Sequence, residues 1–357
     1  MVMDVRRTSM RLALVTIILA GLLLAAGHVL ASSEQGSLRS TGGVPGASVL
    51  QEGGIWSSGW VTVPPGQTLV LQHNMGGNPD QYAVDVWERD LDGGQGINHL
   101  NFGGTEISGV LLGVAWQRLT DNTVEIFRFP NDIDADQILV RVWVPDNLSW
   151  ESDWQDIAQG EPLSLDHNVG GDPELYTVGM KFQDTAPGGL GLNSRAAGGL
   201  EIGGQRLGAA WQNLTAQSIS VVRLQEDQFA DRVYVSIYQP EPPTWDSGWQ
   251  DAPLGQELVL THNLGGNLMG YVVRTFVKSL QPGGKGLNSW YGGGFEGGGN
   301  FFGSSWLKLT TTSIAVFRQP NDDLVHSSDQ VRVWIYKPEY AAFLPAVVNN
   351  ATSVTVP

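Results

Sequence analysis

The chain has no cysteine in 357 residues. That excludes a disulfide scaffold, a thiol nucleophile and every thiolate metal site. Basic residues are scarce: 20 Lys and Arg stand against 36 Asp and Glu, a formal net charge of −16. Such a chain repels phosphate backbones and anionic membrane surfaces, so nucleic acid is not an expected partner. No stretch after the N-terminus has a helical apolar period, no His-x-x-x-His pair occurs, and no nucleophile elbow precedes a helix. Catalytic signals are absent, and the chain is not expected to be an enzyme. What is present is 46 Gly, 18 Pro, 13 Trp and 41% apolar residues, enough for small packed cores and too much for a disordered chain.

One long apolar run exists, Leu12 to Ala31, preceded by Arg6, Arg7 and Arg11. Val29-Leu30-Ala31 before Ser32 fits a small-residue cleavage site, so residues 1–31 read as a signal peptide; an uncleaved anchor is the other reading, since 20 apolar residues just span a bilayer. Cleavage would leave 17 basic against 35 acidic residues, or −18, and no membrane attachment. Export without cysteine fits a bacterial secreted or cell-surface protein, each core relying on packing alone. Residues 32–54, rich in Ser and Gly, read as a flexible spacer.

The rest says the same thing three times. His73-Asn74-Met75-Gly76-Gly77 returns as His167-Asn168-Val169-Gly170-Gly171 and His262-Asn263-Leu264-Gly265-Gly266, at steps of 94 and 95 residues. Trp60, Trp154 and Trp249 keep the step, as do Trp116, Trp211 and Trp306, and Arg128, Arg223 and Arg318. A period this long means tandem domains rather than solenoid turns. The expected units are 55–146, 150–240 and 245–338, joined by short linkers, with 339–357 as a tail. Within each, apolar and polar residues alternate with period two between Gly, Pro and Asn clusters, as in Thr68 to Gln72 and Ile138 to Val144. The first unit reads as six strands, near 60–63, 68–72, 82–88, 110–118, 123–128 and 138–144. The expected fold is all-β: three tandem, separately folded antiparallel β-sandwich modules of about 90 residues after a signal peptide.

Three features could carry chemistry. The His-Asn-x-Gly-Gly motif places His73, His167 and His262 on the face of two Leu each, before an Asn that tolerates left-handed backbone. The expected role is structural, one ring nitrogen on a backbone carbonyl; convergence of the three on a pseudo-threefold axis to hold a metal or anion is the alternative. A glycine-framed segment follows: Gly93 to Asn98, Gly188 to Asn193 and Gly283 to Asn288. After the shared Asn the copies diverge before closing on a Gly pair. A constant frame with variable tips suits a recognition loop, and aromatic and amide groups suit sugars. The candidate ligand residues are Asn98, His99, Phe102, Asn193, Arg195, Asn288, Trp290 and Tyr291; a plain turn capped by the Asn is the competing reading. Third, Asp132, Asp134 and Asp136 alternate as Ca²⁺ ligands can, but an inward Arg128 needs a carboxylate partner, and an Arg–Asp bridge is the other expectation.

Ser58-Gly59-Trp60 opening the first strand, Pro79 leading into Val84 and Val86, Leu119-Thr120, Leu214-Thr215 and Leu309-Thr310 before the next strands, and the closing-strand aromatics Trp143, Tyr238 and Tyr336 resemble the H-type lectin domain. The resemblance covers nearly all of residues 56–337 and departs from the pattern at Leu268, where the other copies have Pro. It implies a six-stranded antiparallel sandwich that binds sugars such as N-acetylgalactosamine and assembles as trimers. Sequence and resemblance together give two expectations: an exported multivalent carbohydrate-binding protein that engages surface glycans without an obligatory cofactor, its repeats forming a pseudo-trimer, or a structural or adhesive repeat protein with no small-molecule site. Exposed aromatics at the loop tips distinguish the first; buried Trp and polar tips distinguish the second.

Overall fold

The computed structural model describes residues 54–337. The signal, spacer and tail expectations lie outside the described residues, apart from Gly54. The described residues are all-β, with antiparallel sheets and four single-turn 3₁₀ segments. The first repeat holds β1 (Ile55–Val61), β2 (Thr68–Gln72), β3 (Ala83–Arg89), β4 (Ile97–Asn98), β5 (Thr105–Ile107), β6 (Val110–Leu112), β7 (Val114–Gln117), β8 (Thr123–Arg128) and β9 (Gln137–Trp143). One sheet has the order β1-β9-β3-β4, a second β2-β8-β7, and β5-β6 is a separate hairpin. The same three sets recur in the second and third repeats, with the β1 equivalent split into two short strands on Arg232–Tyr238 and on Gln330–Tyr336.

Alternation explains the layers. Val86, Ile138, Val140 and Val142 from the larger sheet and Leu71, Val114, Trp116, Val124 and Ile126 from the smaller share one buried cluster. In β1 the register shifts between Ser57 and Trp60, and Ser58 Oγ fills the gap by accepting the Val140 amide at 2.9 Å. Ser152 and Ser247 do the same for Val235 and Val333. The recurring Ser-x-Trp is therefore a bulge with its own hydroxyl patch, which re-aims the Trp.

Six strands per repeat is too few. The expected strand over 110–118 breaks at Gly113, because a Cβ there would lie 1.9 Å from the Asn101 carbonyl oxygen, and φ is +96°. β4 and β5, short and glycine-flanked, carry too little alternation to register as strands. The repeats also share their cores. Residues 54–337 fall within one compact unit. Each core takes side chains from the next repeat: Leu192 and Trp154 enter the first, Leu287 and Trp249 the second, and Trp87, Leu139, Trp60 and Ile97 the third. Contacts run head to tail and close after three steps.

Candidate functional site

The glycine-framed loops do the joining. The second repeat is tied to the first by Arg118 N donating to Leu190 O at 2.9 Å, Ser194 N to Trp116 O at 3.0 Å and Ala196 N to Gly103 O at 3.0 Å. The third repeat binds the second through Asn213 N to Lys285 O at 2.8 Å, Ser289 N to Trp211 O at 2.9 Å and Tyr291 N to Gly198 O at 2.9 Å. The first binds the third through Lys308 N to Gln95 O at 2.9 Å, His99 N to Trp306 O at 3.1 Å and Asn101 N to Gly293 O at 2.7 Å. Each loop thus extends a neighbour's smaller sheet at its β7 edge. The residue that leads the chain away, Asn101, Ala196 or Tyr291, sits at φ of 57°, 55° or 55°. Left-handed backbone at Ala and Tyr costs about 1–2 kcal/mol and is held by the bonds around it.

All eight candidate ligand residues lie in these seams rather than at exposed tips. Asn98, Asn193 and Asn288 are buried; each side-chain amide donates to the carbonyl two residues back, at 3.0, 2.9 and 2.9 Å, and each side-chain oxygen accepts the amide two residues on. That is the capped-turn reading. His99 stacks on Trp306 with centroids 5.9 Å apart, and Phe102 packs against the first core. Burial pulls the His99 ring down to about 4. The Arg195 guanidinium lies 4.1 Å from the Phe127 ring centroid and 4.7 Å from that of Phe129, and Nη2 donates to Gln117 Oε1 at 3.3 Å. Trp290 is 7% exposed and donates to Gln212 Oε1 at 2.8 Å; Tyr291 stacks on Phe295 at 4.6 Å. The variable tips are seam-specific: Arg195 and Trp290 occupy one position and meet equivalent Gln acceptors with different chemistry. The sequence signal that could have found this is the recurrence of Gln at 117 and 212 in step with the tips.

The three His do not converge. Each stays in its own repeat, edge-on between a Trp and a Tyr: Trp56 and Tyr82, Trp150 and Tyr176, Trp245 and Tyr271. Nδ1 accepts the amide two residues on, at 3.3, 3.2 and 3.2 Å, so the neutral ring closes the Asn turn. Burial lowers each ring's pKa, against the raising effect of nearby backbone carbonyls such as those of Thr123 and Thr120.

The alternating aspartates are also used differently. Arg128 Nε pairs with Asp132 Oδ2 at 2.8 Å, Nη2 donates to Asp132 O and Nη1 to Val63 O, all buried. Arg223–Asp227 and Arg318–Asp322 repeat the pair at 2.9 Å. Asp132 Oδ1 accepts the Gly113 amide, so the pair also pins the break between β6 and β7. Asp132, Asp134 and Asp136 do not gather; among the described residues the carboxylates that do are Asp90, Asp92 and Asp136. Two of those cap turns: Asp90 accepts the amides of Asp92, Gly93 and Gln95, and Asp136 that of Leu91.

Two further features were not visible in the sequence. A cavity of about 100 Å³ between the first two repeats is lined by Gln81, Val144, Leu148, Glu151, Tyr234 and Tyr238. In the first repeat Glu88 is wholly buried with neither carboxylate oxygen bonded. Burial and then Asp132 and Asp134 hold its carboxyl well above the usual range; burial and then Asp132 raise Asp134 to about 6.

No family model, curated protein or solved structure matches the chain. No helix among the described residues is long and apolar enough to cross a membrane.

Proposed function

We propose that the chain is an exported structural or adhesive protein in which three sandwich modules are closed into one rigid pseudo-trimeric block. The observation that carries this reading is the fate of the loop tips. Rings and amides that would have to be free to stack on and bond a sugar are committed to the seams, with Trp290 buried against Gln212. Among the described residues the exposed large apolar side chains are Val, Leu and Ile, without an aromatic. A buried Trp with its N–H satisfied supports packing, not recognition.

A rigid block predicts resistance to limited proteolysis across residues 54–337 and no glycan binding that depends on Trp290 or Tyr291. A glycan array with the full chain and with Trp290→Phe checks this: a signal that Trp290→Phe abolishes, in a variant that keeps its melting temperature, would overturn it.

Carbohydrate binding keeps one alternative location. The cavity lined by Gln81, Glu151, Tyr234 and Tyr238 combines amide, carboxyl and phenol groups of the kind that bond sugar hydroxyls. This reading predicts a site at this seam that Tyr238→Ala removes.

A further inference from the structure

The three repeats are internal controls for one another. At the inward end of β3 the second repeat has Phe182 and the third Val277, both buried. The first has Glu88, on the same strand face as the core residue Val86. Asp136 follows Arg128 by eight positions, as Asp231 follows Arg223, which aligns Asp134 with Phe229. The backbone at the second position lies beside the strand pair that carries the first. In the second repeat Asn193 stands opposite Phe182 across the strand pair and donates to the Phe229 carbonyl at 3.0 Å. In the first, Asn98 stands opposite Glu88, and Asp134 is anchored from the other side by the Asn101 amide at 3.4 Å. Where the second repeat has two phenylalanines, the first has two carboxyls.

Nothing within the first repeat compensates that exchange. Arg128, the nearby cation, is committed to Asp132 and to two backbone carbonyls. Neither Glu88 oxygen has a hydrogen-bond partner, although the residue is 0% exposed. An isolated buried carboxylate costs several kcal/mol, and a second carboxyl beside it makes ionisation worse. Asp90 and Asp136 add negative charge on the loop side. Oxygen-only donors, two of them carboxylates at the end of a sheet, fit a hard divalent cation, which would neutralise the pair and take up the orphaned oxygens.

We propose that Glu88 and Asp134 of the first repeat bind a divalent cation of the calcium class, with no equivalent site in the other two repeats. The proposal is independent of the structural or adhesive reading, which concerns the seams.

The test uses the full chain, stripped with a chelator and then titrated with calcium chloride. Elemental analysis after desalting is expected to find about one calcium per chain, and millimolar calcium to raise the melting temperature by a few degrees over the chelated state, because an ion that binds only the folded protein stabilises it. Glu88→Gln keeps the shape and is expected to abolish both. Glu88→Phe with Asp134→Phe copies the second repeat and gives a second calcium-blind variant should the amide misfold. Asp92→Asn, which alters the neighbouring carboxylate group, is expected to retain the calcium response. Absence of bound calcium and of any shift in the parent overturns the proposal. So does a shift that survives Glu88→Gln or vanishes in Asp92→Asn, as does a melting temperature that rises on acidification equally with and without calcium, since the pair would then be satisfied by a shared proton.

Discussion

At the scale of single residues, the side chains that look reactive are mostly holding backbone in place. His73 shows why pH matters to that role. Its Nδ1 must stay unprotonated to accept the Met75 amide, and burial lowers its pKa from 6.5, as for His167 and His262. A base whose folded pKa is depressed contributes stability that is fully present above the unfolded value and is lost as pH falls through the folded one. His99, down at about 4, has the widest window. Acidification from pH 7 toward pH 4 is therefore expected to lower the melting temperature, with His99 contributing on the order of 3 kcal/mol at most. Thermal melts across that range check it; His99→Gln should flatten the profile, and a flat parent profile would count against neutral, structural rings. The Arg–Asp pairs lead to a sharper expectation. Arg223→Ala leaves Asp227 at 0% exposure without its guanidinium, which should cost about 3–5 kcal/mol in chemical denaturation.

At the scale of elements, the glycine frame decides the seams. A Cβ on Gly198 would lie 2.9 Å from the Ser289 carbonyl oxygen and 3.1 Å from the Gly292 amide nitrogen of the next repeat, at φ +84°. Gly188, at φ +79° in the same loop, has open space around it. Gly188→Ala is expected to cost about 1 kcal/mol for its backbone alone, and Gly198→Ala at least twice that because backbone must also move. Equal melting temperatures for the two variants would show that close approach is not what Gly198 provides. The strands were legible in advance where one face meets a core: Thr68–Gln72, Thr123–Arg128 and Gln137–Trp143 lie within a residue of the alternating runs. The frame was legible as a turn but not as a joint. Alternation reports which face of a strand is buried; it carries no sign of which chain segment does the burying. So Asn98 read both as a cap and as a ligand, and Trp290 beside Tyr291 read as an exposed tip when it is a plug. Glu88 was missed for the same reason: a strand near 82–88 was expected, but alternation carries no sign that a carboxyl on it lacks a partner.

At the scale of the whole molecule, the seams make the repeats unequal. Each interface uses the same backbone pairing, but its side chains are matched to one neighbour: Arg195 to Gln117 with Phe127 and Phe129, Trp290 to Gln212, His99 to Trp306. A third repeat alone would leave Leu287 and Trp290, now buried in the second repeat's territory, facing water. It could not recover by trimerising with itself, because its own residue at the Gln117 and Gln212 position is Leu307, which offers the Trp290 N–H no acceptor. Mixed with the first two repeats it should re-form both seams, with about 1 kcal/mol from each backbone bond restored and more from the apolar area re-covered. Fragment 245–337 is therefore expected to melt well below the full chain and without a defined oligomer, and addition of fragment 54–240 to restore a cooperative transition near that of the intact protein. Circular dichroism melts with size-exclusion chromatography measure both. If the isolated third repeat melts like the full chain, the seams contribute little and the modules stand alone.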